Sequence, residues 1–281
     1  MHAEHICVDC GNQFTGNFCN RCGEKVYTEH DKTFRHFLEE GVHFITHLDS
    51  KFLRTWWLVM TRPGFVSGEI CSGIRKRYYR PMNLFIIGVI LYLLFPVLQG
   101  LNVLLVYHIY SPYKGIAKYL IETKMASHHL TFLQLAELFD HKSPKFAKVL
   151  LLIIIPLSGI VLQWLFRKKR SYFFDHVTLA SELNTFYLYF TFLITPLIAW
   201  LLTQVAKVFG ANAKGFFWTD WFTISFYIIV LGLYCTRAFM HFYREKKGWA
   251  IFKSVIFLLA HSVIVYIIYR LILLCLVLLF I

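Results

Sequence analysis

The sequence predicts an all-α integral membrane bundle, led by a small cysteine-rich ribbon and an amphipathic helix at the bilayer interface. Three observations carry this expectation. The 281 residues are 57% hydrophobic and only 16% charged, with a mean hydropathy of +0.54, which is more apolar than a water-facing surface allows. Five apolar stretches approach or exceed the roughly 20 helical residues that cross a hydrocarbon core. Ahead of all five stand two C-x-x-C-G knuckles, Cys7/Cys10/Gly11 and Cys19/Cys22/Gly23.

The knuckles define a first segment, 1–27. Two residues between cysteines let one tight turn present both sulfurs to a single ion. A glycine after each second cysteine permits positive φ, so that backbone N–H groups can turn toward the thiolates. Cys7, Cys10, Cys19 and Cys22 are thus expected to hold one tetrahedral zinc. With all four positions filled by protein, that zinc is structural: it folds a unit too small to bury its own core. The other cysteines, Cys71, Cys235 and Cys275, are scattered singly, unlike a disulfide framework. Paired knuckles suit a reducing compartment. The first 24 residues lack the apolar core of a secretory signal, which places the N-terminus in the cytosol. Arg21 and Lys25 are too few to predict nucleic-acid binding.

Residues 28–81 form the interfacial segment. Phe34, Phe37, Leu38, Val42, Ile45, Leu48, Phe52 and Trp56 recur at three- and four-residue steps, the pattern of an amphipathic helix ended by Pro63-Gly64. Trp56 and Trp57 suit an interface. On the polar side His36, Glu40, His43 and His47 fall within an arc of about 60° at 100° per residue. Imidazoles four apart can share one metal, with Glu40 as a further ligand. Asp175, His176 and Glu182, at the start of the third span, are candidates to close that stripe into a second metal or polar site. The plainer reading of the stripe is a solvated helix face.

The membrane part, 82–281, has spans near 82–106, 149–166, 183–206, 218–236 and 250–281. The clusters "RKRYYR", "RKKR" and "REKK" all fall on the cytosolic side when the N-terminus is inside, as positive charge prefers. That side then holds 20 of the 29 Lys and Arg residues, and five spans put the C-terminus outside. The net charge of +13 therefore reads as topology plus contact with anionic head groups, with Arg75, Lys76, Arg77 and Arg80 as the headgroup set. The outer loop, 107–148, carries two short stretches of helical apolar spacing, "IAKYLIETKM" and "TFLQLAELF". They are expected to lie on the outer leaflet or cap the bundle, with His108, His128, His129 and His141 solvated. Pro96, Pro156 and Pro196 are expected to kink their spans, and together can open an outward cavity. His261 is an intramembrane ionisable residue, read as a polar contact to a neighbouring helix or as a relay. The last stretch exceeds one span, so it either projects or leaves Arg270 to snorkel while the tail lies in lipid.

Taken in order, the paired knuckles, "TRPG" at Thr61, Arg62, Pro63 and Gly64, and the G-x-R-x-R-Y-x-x-P run at Gly73, Arg75, Arg77, Tyr78 and Pro81 resemble an uncharacterised family of bacterial polytopic membrane proteins. The resemblance is firm over about the first 90 residues. It implies the bacterial inner membrane and no activity. Three functions are open: a zinc-ribbon platform in the cytosol for partner docking or assembly, a transporter with a mid-membrane cavity near the kinked spans, and a metal-dependent lipid-modifying enzyme using the histidine stripe. No nucleophile motif, phosphate loop or dinucleotide fingerprint is visible. No internal repeat supports a transporter, although an oligomer can complete a pathway.

Overall fold

The computed structural model describes residues 4–6, 11–16, 19–21, 50–74, 77–94, 103–208 and 220–281. The chain divides into two compact units, 1–50 and 51–281. In the first, β1 (Glu4–Ile6) pairs antiparallel with β2 (Gln13–Thr15), with His5 opposite Phe14. Phe14 and Cys19 are buried. Gly11 has φ 68°, the left-handed conformation that a knuckle asks of the residue after its second cysteine. Asn12 Nδ2 lies 3.9 Å from Cys19 Sγ. Of the four knuckle cysteines, Cys7, Cys10 and Cys22 lie outside the described residues.

The second unit is helical. It opens with α1 (Ser50–Thr61), α2 (Phe65–Cys71) and α3 (Pro81–Leu94). Phe52, Thr55 and Val59 are buried, whereas Trp57 is exposed, so α1 is amphipathic. It stops just before Pro63-Gly64. The more N-terminal part of the expected helix, with His36, Glu40, His43 and His47, lies outside the described residues. After α2 comes a two-bond left-handed terminus: Gly73 has φ 103°, its N–H donates to Ile70 O, and Ile74 N–H donates to Glu69 O.

A short helix α4 (Leu105–His108) and α5 (Lys114–His128) follow. Thr131 then starts α6 (Phe132–Leu150) with a capping box, its N–H donating to Gln134 Oε1 and its hydroxyl accepting from Gln134 N–H. A single 3₁₀ turn, Leu151–Ile153, joins α6 to α7 (Ile154–Phe166). The segment expected as a short surface helix is therefore the N-terminal half of one 35-residue helical rod, Phe132–Phe166. Helix α8 (Phe173–Tyr189) continues through a π-helical stretch, Phe190–Ile194, into α9 (Thr195–Val208). Helix α10 (Asp220–Phe242) precedes α11 (Lys247–Val263), a second π stretch Ile264–Tyr269, and α12 (Arg270–Leu279).

Three helical rods among the described residues are long and apolar enough to cross a membrane: Phe132–Phe166, Phe173–Val205 and Lys247–Leu279. Pro81–Tyr92 and Phe226–Phe242 are shorter apolar helices. Pro156 and Pro196 each sit in the first turn after an irregular segment, 151–153 and 190–194. Each proline removes a backbone donor, and a change of hydrogen-bond register takes up the loss without ending the rod. Pro96 lies outside the described residues.

Helix α8 is the centre of the unit, buried at every position from Thr178 to Phe186, as a helix surrounded by others must be. It packs on α7, α3 and α2. Glycines allow the close approach: a Cβ on Gly88 of α3 would lie 2.7 Å from Leu188 Cδ2, and one on Gly159 of α7 would lie 2.9 Å from Val177 Cγ2. The last helix does not lie free in lipid. Leu273, Leu274, Val277 and Leu278 of α12 are buried, α12 packs against α5 and α6, and Lys142 Nζ donates to Phe280 O at 2.7 Å.

Candidate functional site

Short helix α2 lies along α8 with a carboxyl group at each end. Asp175 and Glu182 are seven residues apart, about 10 Å along a helix, which matches the length of the seven-residue α2. At the N-terminal end, Glu182 is fully buried and accepts from Gly64 N–H at 2.7 Å and Ser67 N–H at 2.8 Å. The Ser67 hydroxyl makes a third, short bond to Glu182 Oε2. The carboxyl group thus satisfies helix-end donors that have no intrahelical partner and sits at the positive end of the helix dipole.

Gly64 is required here twice over. It has φ 76°, and an added Cβ would meet the carbonyl oxygen of Ala238 in α10 at 2.8 Å. The T-R-P-G turn is therefore wedged between α8 and α10. Beside it the Tyr234 hydroxyl donates to Val59 O at 2.6 Å, tying the end of α1 to α10.

At the other end of α2, the Asp175 side chain hydrogen-bonds the Cys71 thiol. Burial pushes the Cys71 pKa up to about 12; Asp175 adds to the shift, and Arg170 and Thr178 oppose it. The thiol is thus protonated at neutral pH, which makes it a poor nucleophile. Asp175 also pairs with Arg170 at 3.0 Å. The Arg170 guanidinium lies 4.1 Å from the Phe242 ring centroid, closing the "RKKR" turn onto the end of α10. His176 is buried, with Nε2 3.3 Å from Arg170 O and Nδ1 2.8 Å from the Tyr243 hydroxyl. A carbonyl only accepts, so Nε2 carries the proton and Nδ1 accepts from Tyr243.

The other polar residues of α8 reach different neighbours. The Thr185 hydroxyl is 3.1 Å from Pro81 O at the start of α3. Asn184 Nδ2 donates to Ser158 Oγ of α7 at 3.3 Å, and that oxygen lies 3.3 Å from His261 Nδ1 of α11. The His261 ring also stacks on Phe257.

The structure thus brings Asp175, His176 and Glu182 onto the surface of α8 that holds α2 and the end of α10. Among the described residues, no three His, Cys, Asp or Glu side chains are grouped to hold a metal ion; the histidine stripe lies outside them. Of the expected head-group set, Arg77 and Arg80 are exposed, while Arg75 and Lys76 lie outside the described residues. Of the outer-loop histidines, His128, His129 and His141 are exposed, but His108 is buried against Tyr113 and Phe139. Ser67 and Tyr243 escaped the sequence reading, and Arg170 was read only as part of the basic cluster "RKKR".

The sequence profile of a family described as a protein of unknown function (DUF3667) matches residues 49–93. The matched stretch spans α1, the T-R-P-G turn, α2 and nearly all of α3. No curated protein and no solved structure matches the chain.

Proposed function

We propose that this chain is a platform in the bacterial inner membrane. In this reading five spans cross the bilayer, the N-terminus is cytosolic and the C-terminus lies outside. Cys7, Cys10, Cys19 and Cys22 hold a structural zinc, and the ribbon they form docks a cytosolic partner or guides assembly.

The observation that carries this reading is the use made of Glu182. Both carboxyl oxygens are occupied by donors of the T-R-P-G turn and α2, and both nitrogens of His176 have partners. Groups so engaged hold α2 and the end of α10 against α8, which supports a structural use of these residues. The basic turn 167–170 lies at the same end of α8, consistent with a cytosolic base.

Elemental analysis of the detergent-purified chain tests the reading. One zinc per chain is expected, lost in a Cys7→Ser/Cys10→Ser variant whose membrane unit still unfolds at the parent temperature. A photocrosslinking residue at Asn17 should then mark one defined neighbour in the parent and not in that variant. A second metal that disappears in a His43→Ala/His47→Ala variant would replace the platform with a metal-dependent enzyme. Solute flux in proteoliposomes that His261→Ala abolishes would replace it with a transporter.

A further inference from the structure

At the far end of the bundle stands Arg270, for which no ion pair is found among the described residues. Arg270 stands 23 residues beyond Lys247, about 34 Å along a helical rod, which is close to the thickness of a hydrocarbon core. The π stretch Ile264–Tyr269 ends immediately before it; such stretches change the direction in which following side chains point. Among the described residues Arg270 forms no ion pair, and its charge lies 4.9 Å from the centroid of the Tyr266 ring. Asp140, an acid at this end of the molecule, is engaged elsewhere, accepting from Leu105 N–H at 3.0 Å.

Arg270 lines an open cavity of about 700 Å³ with Leu104, Tyr107, Tyr110, Ser111 and Tyr266. The rings of Tyr107, Tyr110 and Tyr266 are all exposed. This volume falls within the range of small-molecule sites and far exceeds a single ion. Phenol rings at this depth match the amphipathic zone of a bilayer. A guanidinium offers a planar fork of donors that fits the oxygens of a phosphate. Close by, His108 is fully buried, with Nδ1 2.9 Å from the Tyr113 hydroxyl. Burial pushes its pKa down to about 4; Arg270 acts in the same direction, and the Val103 carbonyl opposes both. The buried ring is therefore neutral, and Arg270 is the charge available to a ligand.

We propose that the Arg270 cavity binds the phosphate of a phosphate ester, with Arg270 on the phosphate oxygens and the Tyr107, Tyr110 and Tyr266 rings around the remainder of the head group. The cavity's position favours a membrane lipid as the source, and a soluble phosphate ester shares the chemistry. The proposal rests on the membrane-spanning reading above.

Native mass spectrometry of the full chain in a neutral detergent tests it, with phosphatidylglycerol and, separately, glycerol 3-phosphate as probes. One phosphatidylglycerol per chain is expected to bind saturably, with affinity at least about tenfold weaker in Arg270→Gln. Arg237→Gln, which alters a cation at the opposite end, should leave that binding event unchanged. Tyr110→Ala, on the exposed rim, should also weaken it, and serves if Arg270→Gln does not fold. Binding of glycerol 3-phosphate with the same dependence on Arg270 and Tyr110 would assign the soluble source and keep the phosphate site. Equal binding of both probes by the parent, Arg270→Gln and Tyr110→Ala would overturn it. Flotation with phosphatidylcholine vesicles is the separate check: a chain that fails to float removes the membrane reading, whatever Arg270 does.

Discussion

At the scale of single residues, Glu182 decides more than any other side chain described. Removing it leaves the N–H groups of Gly64 and Ser67 buried without acceptors, at about 1–3 kcal/mol for each orphaned group. Glu182→Ala is therefore expected to lower unfolding stability by about 3 kcal/mol, and Ser67→Ala, which deletes one of the three bonds, by about 1 kcal/mol. Denaturation of both variants in mixed micelles measures the difference; equal effects would mean that the backbone bonds contribute nothing. Cys71 makes a second claim. With its pKa near 12, the thiolate fraction stays small up to pH 9. Site-resolved maleimide labelling at pH 8 should be much slower in the folded chain than after unfolding in detergent. Labelling at the unfolded rate would show a thiol neither buried nor bonded to Asp175.

At the scale of elements, helix contacts here depend on where side chains are missing. Gly64 faces a backbone carbonyl of α10, which cannot swing away, and its φ is positive. Gly88 faces the ends of the Leu188 and Tyr189 side chains, which have other rotamers. Gly64→Ala should cost about 3 kcal/mol, combining left-handed strain with overpacking, and Gly88→Ala less than about 1.5 kcal/mol. Thermal unfolding of the two variants checks the order; a reversal would mean that α2 stands further from α10 than described. The elements themselves were largely legible. Apolar length marked the rods, Pro63-Gly64 marked the end of α1, and the seven-residue spacing of Asp175 and Glu182 put both on one face of α8. The joining of α6 to α7 was not legible. Pro144, Lys145 and Lys148 interrupt the apolar run between them, and only packing against α12 shows that the helix continues through.

At the scale of the whole molecule, the described bundle is organised around one polar helix. Glu182 holds α2, Thr185 meets α3, Asn184 reaches α7 and through Ser158 approaches His261, and His176 meets the end of α10. In an apolar surrounding such bonds are worth about 0.6 kcal/mol each on average, so their effect is to select one arrangement of helices. None of these pairings could be read from the sequence. Each joins residues 26 to 118 positions apart, and one chain carries no record of which polar residue faces which. What could be read was that polar residues within apolar rods need partners.

The latch between Glu182 and the T-R-P-G turn is the central claim, and amide hydrogen exchange tests it most directly. Peptides covering residues 61–72 should exchange slowly in the parent and become fast in Glu182→Ala, while peptides from α11 keep their protection. Identical exchange of 61–72 in both proteins would contradict the latch.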